Sequence, residues 1–292
     1  MGYKPILTFD TSSIGGTNCL VDEPDLDALL AGFTSGFHTR FTFTSVSEII
    51  ATTDAGRRSR QLSVCRKLLP FGDCIDPQHE IIRKMVESFE SSASFDWTEA
   101  NVRLPEAETE IARHADFGDE LSQQEREESR ALESIFKGVY ENAKPEFDKI
   151  FAAGAKKPSS AAELVAALQS GGAFWKLAGN LYARVSARPF EEQTIRRFFN
   201  MCPPFRALMV ALFVAQYDRC VRPQNVGPSL RSGRNDTFMS VCLPYCEKFV
   251  TNDSRQLRCF QEVVSICGLD VAVQSYEEFR SGFLLPVLAA RA

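Results

Sequence analysis

Strand-like and helix-like segments alternate at both ends of this chain, and that alternation constrains its fold more than any other feature. Near the start, "KPILTFDTSSIGG" carries an apolar run into Asp10, three hydroxyl residues and a glycine pair, the pattern of a central strand followed by a turn. "FTFTSVSEIIATTDAGRRSRQLSVCRKLL" opens β-like over Phe41–Thr44 and continues with helical spacing; Ser45 or Ser47 is the expected helix cap, which puts Glu48 in the first turn. Toward the other end, Lys248–Thr251 reads as a strand, Gln256–Ile266 as a helix, and "LDVAVQSYEEF" as a further strand ending near Gln274. This order predicts an α/β fold with a parallel sheet covered by helices.

Between the two ends, from about Asp76 to Val221, the pattern is almost wholly helical, and 222–234 is a loop by composition. The expected organisation is an α/β domain formed by 1–75 with 222–292, interrupted by a mainly helical insertion over 76–221. The most apolar stretch, "ALMVALFVAQY" (Ala207–Tyr217), is too short to span a bilayer and is expected to be a buried helix. The N-terminus lacks a secretory h-region, so a soluble cytoplasmic protein without a membrane partner is expected. The nine cysteines have no CxxC spacing, and none of the three histidines lies near the Cys242/Cys246 pair; buried free thiols fit better than a zinc site.

A net charge of −5 argues against a protein that coats nucleic acid, but the charge is unevenly spread. Residues 87–148 are strongly acidic, whereas Arg57, Arg58, Arg60, Arg66 and Lys67 form one basic group and Arg184–Arg234 another.

Parallel sheets bind ligands beyond the carboxyl ends of their strands. Asp10 and Asp253 end strands, and Glu48 and Asp236 fall at helix starts that point to the same edge. Taken singly, each acid has an ordinary role as a turn residue or helix cap. Gathered at one edge, four carboxylates repel one another unless a cation holds them, and hard divalent ions prefer such oxygen ligands.

The order and context of these acids resemble the PIN-domain nucleases: "FDTSSI" at the first strand end, "TSVSEI" leading into Glu48, and "NDTFMSVCLPYCEKFVTND" joining Asp236 to Asp253. The match covers roughly residues 1–70 and 230–280; the helical middle has no counterpart in the minimal domain. The resemblance implies a PIN-like three-layer α/β/α domain in which Asp10, Glu48, Asp236 and Asp253 bind Mg²⁺ or Mn²⁺, with Thr11, Thr251 and Asn252 in support. It further implies a ribonuclease, with RNA or single-stranded DNA as partner and a sheet-edge homodimer as one assembly. Arg57, Arg58, Arg231 and Arg234 flank that edge as candidate phosphate contacts. Two other readings stay open: a catalytically silent scaffold whose helical insertion recruits a protein partner, and a phosphatase acting on small phosphoesters at the same acids.

Overall fold

The computed structural model describes residues 3–16, 18–92, 94–99, 102–117, 158–186, 191–220 and 234–286, with a few isolated positions besides. Five strands, β1 (Ile6–Phe9), β2 (His38–Thr42), β3 (Gly72–Ile75), β4 (Lys248–Thr251) and β5 (Ala272–Ser275), form one sheet in the order β3-β2-β1-β4-β5. Every pairing is parallel. The α/β class follows, with helices on both faces.

Side chains alternate across the sheet as a strand's two-residue period requires. Leu7, Phe9, Phe41, Cys74 and Val250 enter one core. Phe249 and Ile75 enter the other, where Ile6 and Val273 pack against them. The first core is closed by helices α1 (Thr11–Gly15), α2 (Leu26–Gly36), α3 (Phe43–Ala51), α4 (Ala55–Leu68) and α6 (Pro105–Phe117). The second is closed by α5 (Gln78–Ser91), α7 (Ala161–Ser170), α8 (Ala173–Ala183), α9 (Glu192–Met201), α10 (Pro203–Cys220) and α12 (Ser254–Cys267). Helices from the span 76–221 therefore cover both faces of the sheet and share its cores. The expected buried helix is α10, in which Ala207–Val214 are all buried. Among the described residues, no single helix is long and apolar enough to cross a membrane.

Two local expectations change. The second strand lies at His38–Thr42, and the helix after it is capped by Thr42 rather than by Ser45 or Ser47: the Thr42 hydroxyl accepts from Ser45 N at 3.1 Å. Thr42 keeps extended backbone angles at the strand end, so its hydroxyl reaches the unpaired N–H groups of the first turn. Glu48 consequently falls in the second turn of α3. The strand β3 was not expected. Its central residue, Asp73, is held in the sheet by Arg40 on β2, whose Nε and Nη2 donate to the carboxylate at 2.7 Å each. Arg40 Nη1 donates to the Tyr245 carbonyl at 2.9 Å, and His38 stands 3.1 Å from the same carboxylate.

Burial acts to raise the Asp73 pKa, but the hydrogen bonds from Arg40 and His38 outweigh it and hold the carboxyl well below its usual range. A depressed carboxyl stabilises the fold above its unfolded value of 3.8, and that contribution fades as pH falls through the folded value. Asp73→Asn strands the Arg40 guanidinium in the interior, so a loss of about 3–5 kcal/mol is expected in urea unfolding at pH 7. The gap between wild type and variant is expected to narrow steadily below pH ~4.

Candidate metal centre at the sheet switch point

From β1 the chain builds outward through β2 and β3, then returns to place β4 on the other side of β1. The strand order reverses between β1 and β4, and in an open parallel sheet the crevice beyond that point is where ligands bind. Asp10 and Asp253 follow the carboxyl ends of those two strands. The register pairs Phe9 with Val250, and Asp10 N donates to the Val250 carbonyl at 2.9 Å, extending the ladder by one bond.

Three hydroxyl residues tie the two ends together. Asp10 is 4% exposed, and its Oδ2 accepts from Ser12 N at 3.1 Å, from the Ser12 hydroxyl, and from Thr251 Oγ1 at 3.1 Å. Thr251 Oγ1 also accepts from Asp253 N at 3.1 Å, and Ser12 Oγ accepts from Asn252 N at 2.9 Å. Ser13 Oγ reaches the carbonyls of Asp10 and Val250 at 2.7 and 2.9 Å. Burial pushes the Asp10 pKa up, against the lowering effect of the Ser12 and Thr251 hydrogen bonds.

Asp253 is half-buried and caps α12, its Oδ1 accepting from Arg255 N at 2.7 Å and Gln256 N at 3.1 Å. The turn-and-cap role of this acid is real, and it occupies one oxygen only; no described group hydrogen-bonds Oδ2. No described side chain donates to Oδ1 of Asp10 either. Glu48 joins the edge through Thr11, whose hydroxyl donates to Glu48 Oε2 at 2.5 Å. Asn252 is exposed between the two strand ends. The backbone of Asp236 lies in the first turn of α11 (Arg234–Met239), while its side chain and that of Arg234 lie outside the described residues, as does Arg231 altogether.

Among the described residues, no group of three or more His, Cys, Asp or Glu side chains is placed to share one metal ion. In donor chemistry Asp10 and Asp253 suit a hard divalent cation: the donors are all oxygen, each acid keeps one oxygen clear of side-chain donors, and Mg²⁺ retains its waters and uses only one or two carboxylates. A fifth acid at the same edge, Asp76 after β3, is buried and already paired with Lys84.

The arginines divide. Arg57 is exposed at the start of α4 and donates through Nε to the Gly15 carbonyl at 2.6 Å, beside the turn that carries Asp10. Arg58 is 5% exposed and donates to the Thr52 carbonyl at 2.7 Å, so it braces the α3–α4 connection from inside and is not offered to a phosphate. Gly15 is a packing requirement: a Cβ there would lie 1.8 Å from Gln61 Nε2. A cavity of about 540 Å³ opens at the opposite, amino end of the strands, near Ile6, Trp97 and Tyr245, where Arg40 is already committed to Asp73.

Ser12 is the residue of this edge that the sequence did not point to. Its signal was its place in the hydroxyl run after Asp10, but only the pairing of β1 with β4 brings it to Thr251 and Asn252.

Compared with protein-family models, curated proteins and solved structures, the chain matches none.

Thr251→Val keeps the side-chain shape and removes the hydroxyl between Asp10 and Asp253 N. A loss of about 1–3 kcal/mol is expected in urea unfolding, because a buried carboxylate and a backbone N–H each lose a partner.

Proposed function

We propose that this chain is a PIN-like, Mg²⁺- or Mn²⁺-dependent nuclease that hydrolyses phosphodiester bonds of RNA at the β1/β4 switch point. The observation that carries the reading is the placement of Asp10 and Asp253 at the ends of adjacent strands, joined through Thr251 and Ser12.

Asp10 and Asp253 are the residues that would hold the ion, which takes only one or two carboxylates and keeps its waters. Glu48, tied to the edge through Thr11, and Asp236 in the first turn of α11 would act on that water shell. When bound, a divalent cation supplies Lewis-acid polarisation of the phosphate and lowers the pKa of a coordinated water. The chain's own contributions are positional. Ser12 and Thr251 fix Oδ2 of Asp10, Thr11 orients Glu48, and the α12 cap fixes the rotamer of Asp253. Burial of Asp10 excludes water from one side of the site and strengthens its attraction for a cation, since charges interact more strongly in a low dielectric. Arg57, held at the Gly15 carbonyl, stands as a phosphate contact that offsets the repulsion between the acids and the RNA backbone.

One observation favours the silent scaffold as a second reading. Asp10 and Asp253 both cap helices, and capping alone is a reason to keep each of them.

The test is cleavage of a mixed-sequence single-stranded RNA with Mn²⁺, or with EDTA, by wild type, Asp10→Asn and Asp253→Asn. Asn caps a helix about as well as Asp, so Asp253→Asn is expected to unfold within about 0.5 kcal/mol of wild type, whereas Asp253→Ala loses ~1 kcal/mol. Metal-dependent cutting lost in both Asn variants is the expected result. Absence of cutting by the folded wild type, or undiminished cutting by the Asn variants, rejects the nuclease.

A further inference from the structure

Helices α8 and α9 carry a basic surface that the proposed nuclease site does not use. Residues 173–206 contain six lysines and arginines against two glutamates, in a chain whose net charge is −5. The two helices pack against each other through Trp175 with Phe199 and Tyr182 with Phe198. Their buried faces enter the same core, which leaves Lys176 and Arg184 exposed at α8 and Arg196 and Arg197 exposed on α9.

Exposed cations elsewhere are commonly matched by an acid: Lys67 by Asp27, Arg83 by Glu80 and Glu87, Arg103 by Glu108. On α8 and α9 the pattern breaks. Lys176, Arg184 and Arg197 make no ion pair among the described residues. The nearby Glu90 is occupied by the hydroxyls of Tyr182 and Ser186.

Two of these arginines lie on aromatic rings. The Arg197 guanidinium sits 5.3 Å from the Phe89 ring centre, and that of Arg196 sits 4.2 Å from the Trp175 ring centre. Such stacking immobilises the guanidinium without consuming its N–H donors. Arg196 is held further by Glu192, through Nε at 2.9 Å and Nη2 at 2.7 Å, which leaves Nη1 and the outer plane of the group. A guanidinium plane fixed on a buried tryptophan is a platform on which a base can stack, and Lys176, Arg184 and Arg197 are exposed cations on or at the ends of the same two helices.

From this placement we infer that the outer face of α8 and α9 binds the backbone of single-stranded nucleic acid, with Arg196 as a base-stacking platform. The flat, ring-backed arginine favours a polymer of stacked bases over an acidic peptide, which needs charge alone. The inference rests on the nuclease reading only for its choice of polymer, and binding is measured without metal.

The experiment is fluorescence anisotropy of a labelled oligouridylate in EDTA, over a range of salt concentrations, with wild type and Arg184→Gln/Arg197→Gln. Each phosphate contact on a single strand contributes ~0.7 to the slope of log K against log salt, so the double variant is expected to lose about 1.4 of slope and to bind about 25-fold more weakly at 0.1 M salt. Arg196→Gln is expected to weaken binding with a smaller change of slope. A folded double variant with unchanged affinity and slope overturns the inference. Equal binding of polyglutamate, with the same loss in the variant, overturns it in favour of an acidic protein partner. The two proposals fail separately. Wild type that binds oligouridylate but never cuts RNA with Mn²⁺ loses the nuclease and keeps this surface; wild type that cuts, with a double variant that binds normally, keeps the nuclease and loses the surface.

Discussion

The pairing of β1 with β4 is the contact on which the rest of the structure depends. It joins Phe9 to Val250 across most of the chain, and closing a loop of that length costs about 5 kcal/mol of chain entropy. Burial of Phe9, Phe249 and Val250 in the two cores offsets this, at roughly 1.5–3 kcal/mol for each fully buried side chain. The hydrophobic sheet therefore places the backbones of Asp10 and Asp253. The chemistry of the edge is a consequence of where the strands end.

What the sheet does not supply is a comfortable environment for the Asp10 carboxylate. A carboxyl group this deeply buried is costly as an anion unless hydrogen-bonded or paired. Ser12 and Thr251 supply part of the compensation, while burial still pushes the Asp10 pKa upward. Arg40 offsets the same kind of cost at Asp73 within the sheet, and Lys84 offsets it at Asp76. The described hydrogen-bond partners of Asp10 and Asp253 are hydroxyls and backbone N–H groups rather than cations. Within one sheet, then, Asp73 and Asp76 are paired with cations, whereas Asp10 and Asp253 are held by hydroxyls and backbone N–H groups.

Much of this was legible in the sequence. Strand β4 and the Asp253 cap are announced by an apolar pair running into Thr-Asn-Asp, because a strand end and a helix cap use different residue types in fixed order. Asp10 is announced in the same way. Strand β3 was not legible: Gly72–Ile75 is short and centred on a charge, and only the partner on β2 explains why Asp73 tolerates a sheet. The α3 cap was misplaced by three residues or more because "TFTSVS" offers several hydroxyls, and the strand end alone selects Thr42. Arg58 reads as a surface cation beside Arg57, yet the helical rotation between neighbouring positions turns it inward onto the Thr52 carbonyl. Local pattern reveals which residue types recur, while cross-strand partners and helix facing need the third dimension.

The central claim is that a divalent cation belongs at the β1/β4 switch point. Its most direct test is paramagnetic broadening of backbone amide signals during titration of the ¹⁵N-labelled protein with Mn²⁺. The account predicts early, saturable loss of signals from Phe9–Ser13 and Thr251–Asp253, with the segment 268–271 at the opposite end of the strands unaffected. Broadening that begins elsewhere, or none at the switch point, would contradict it.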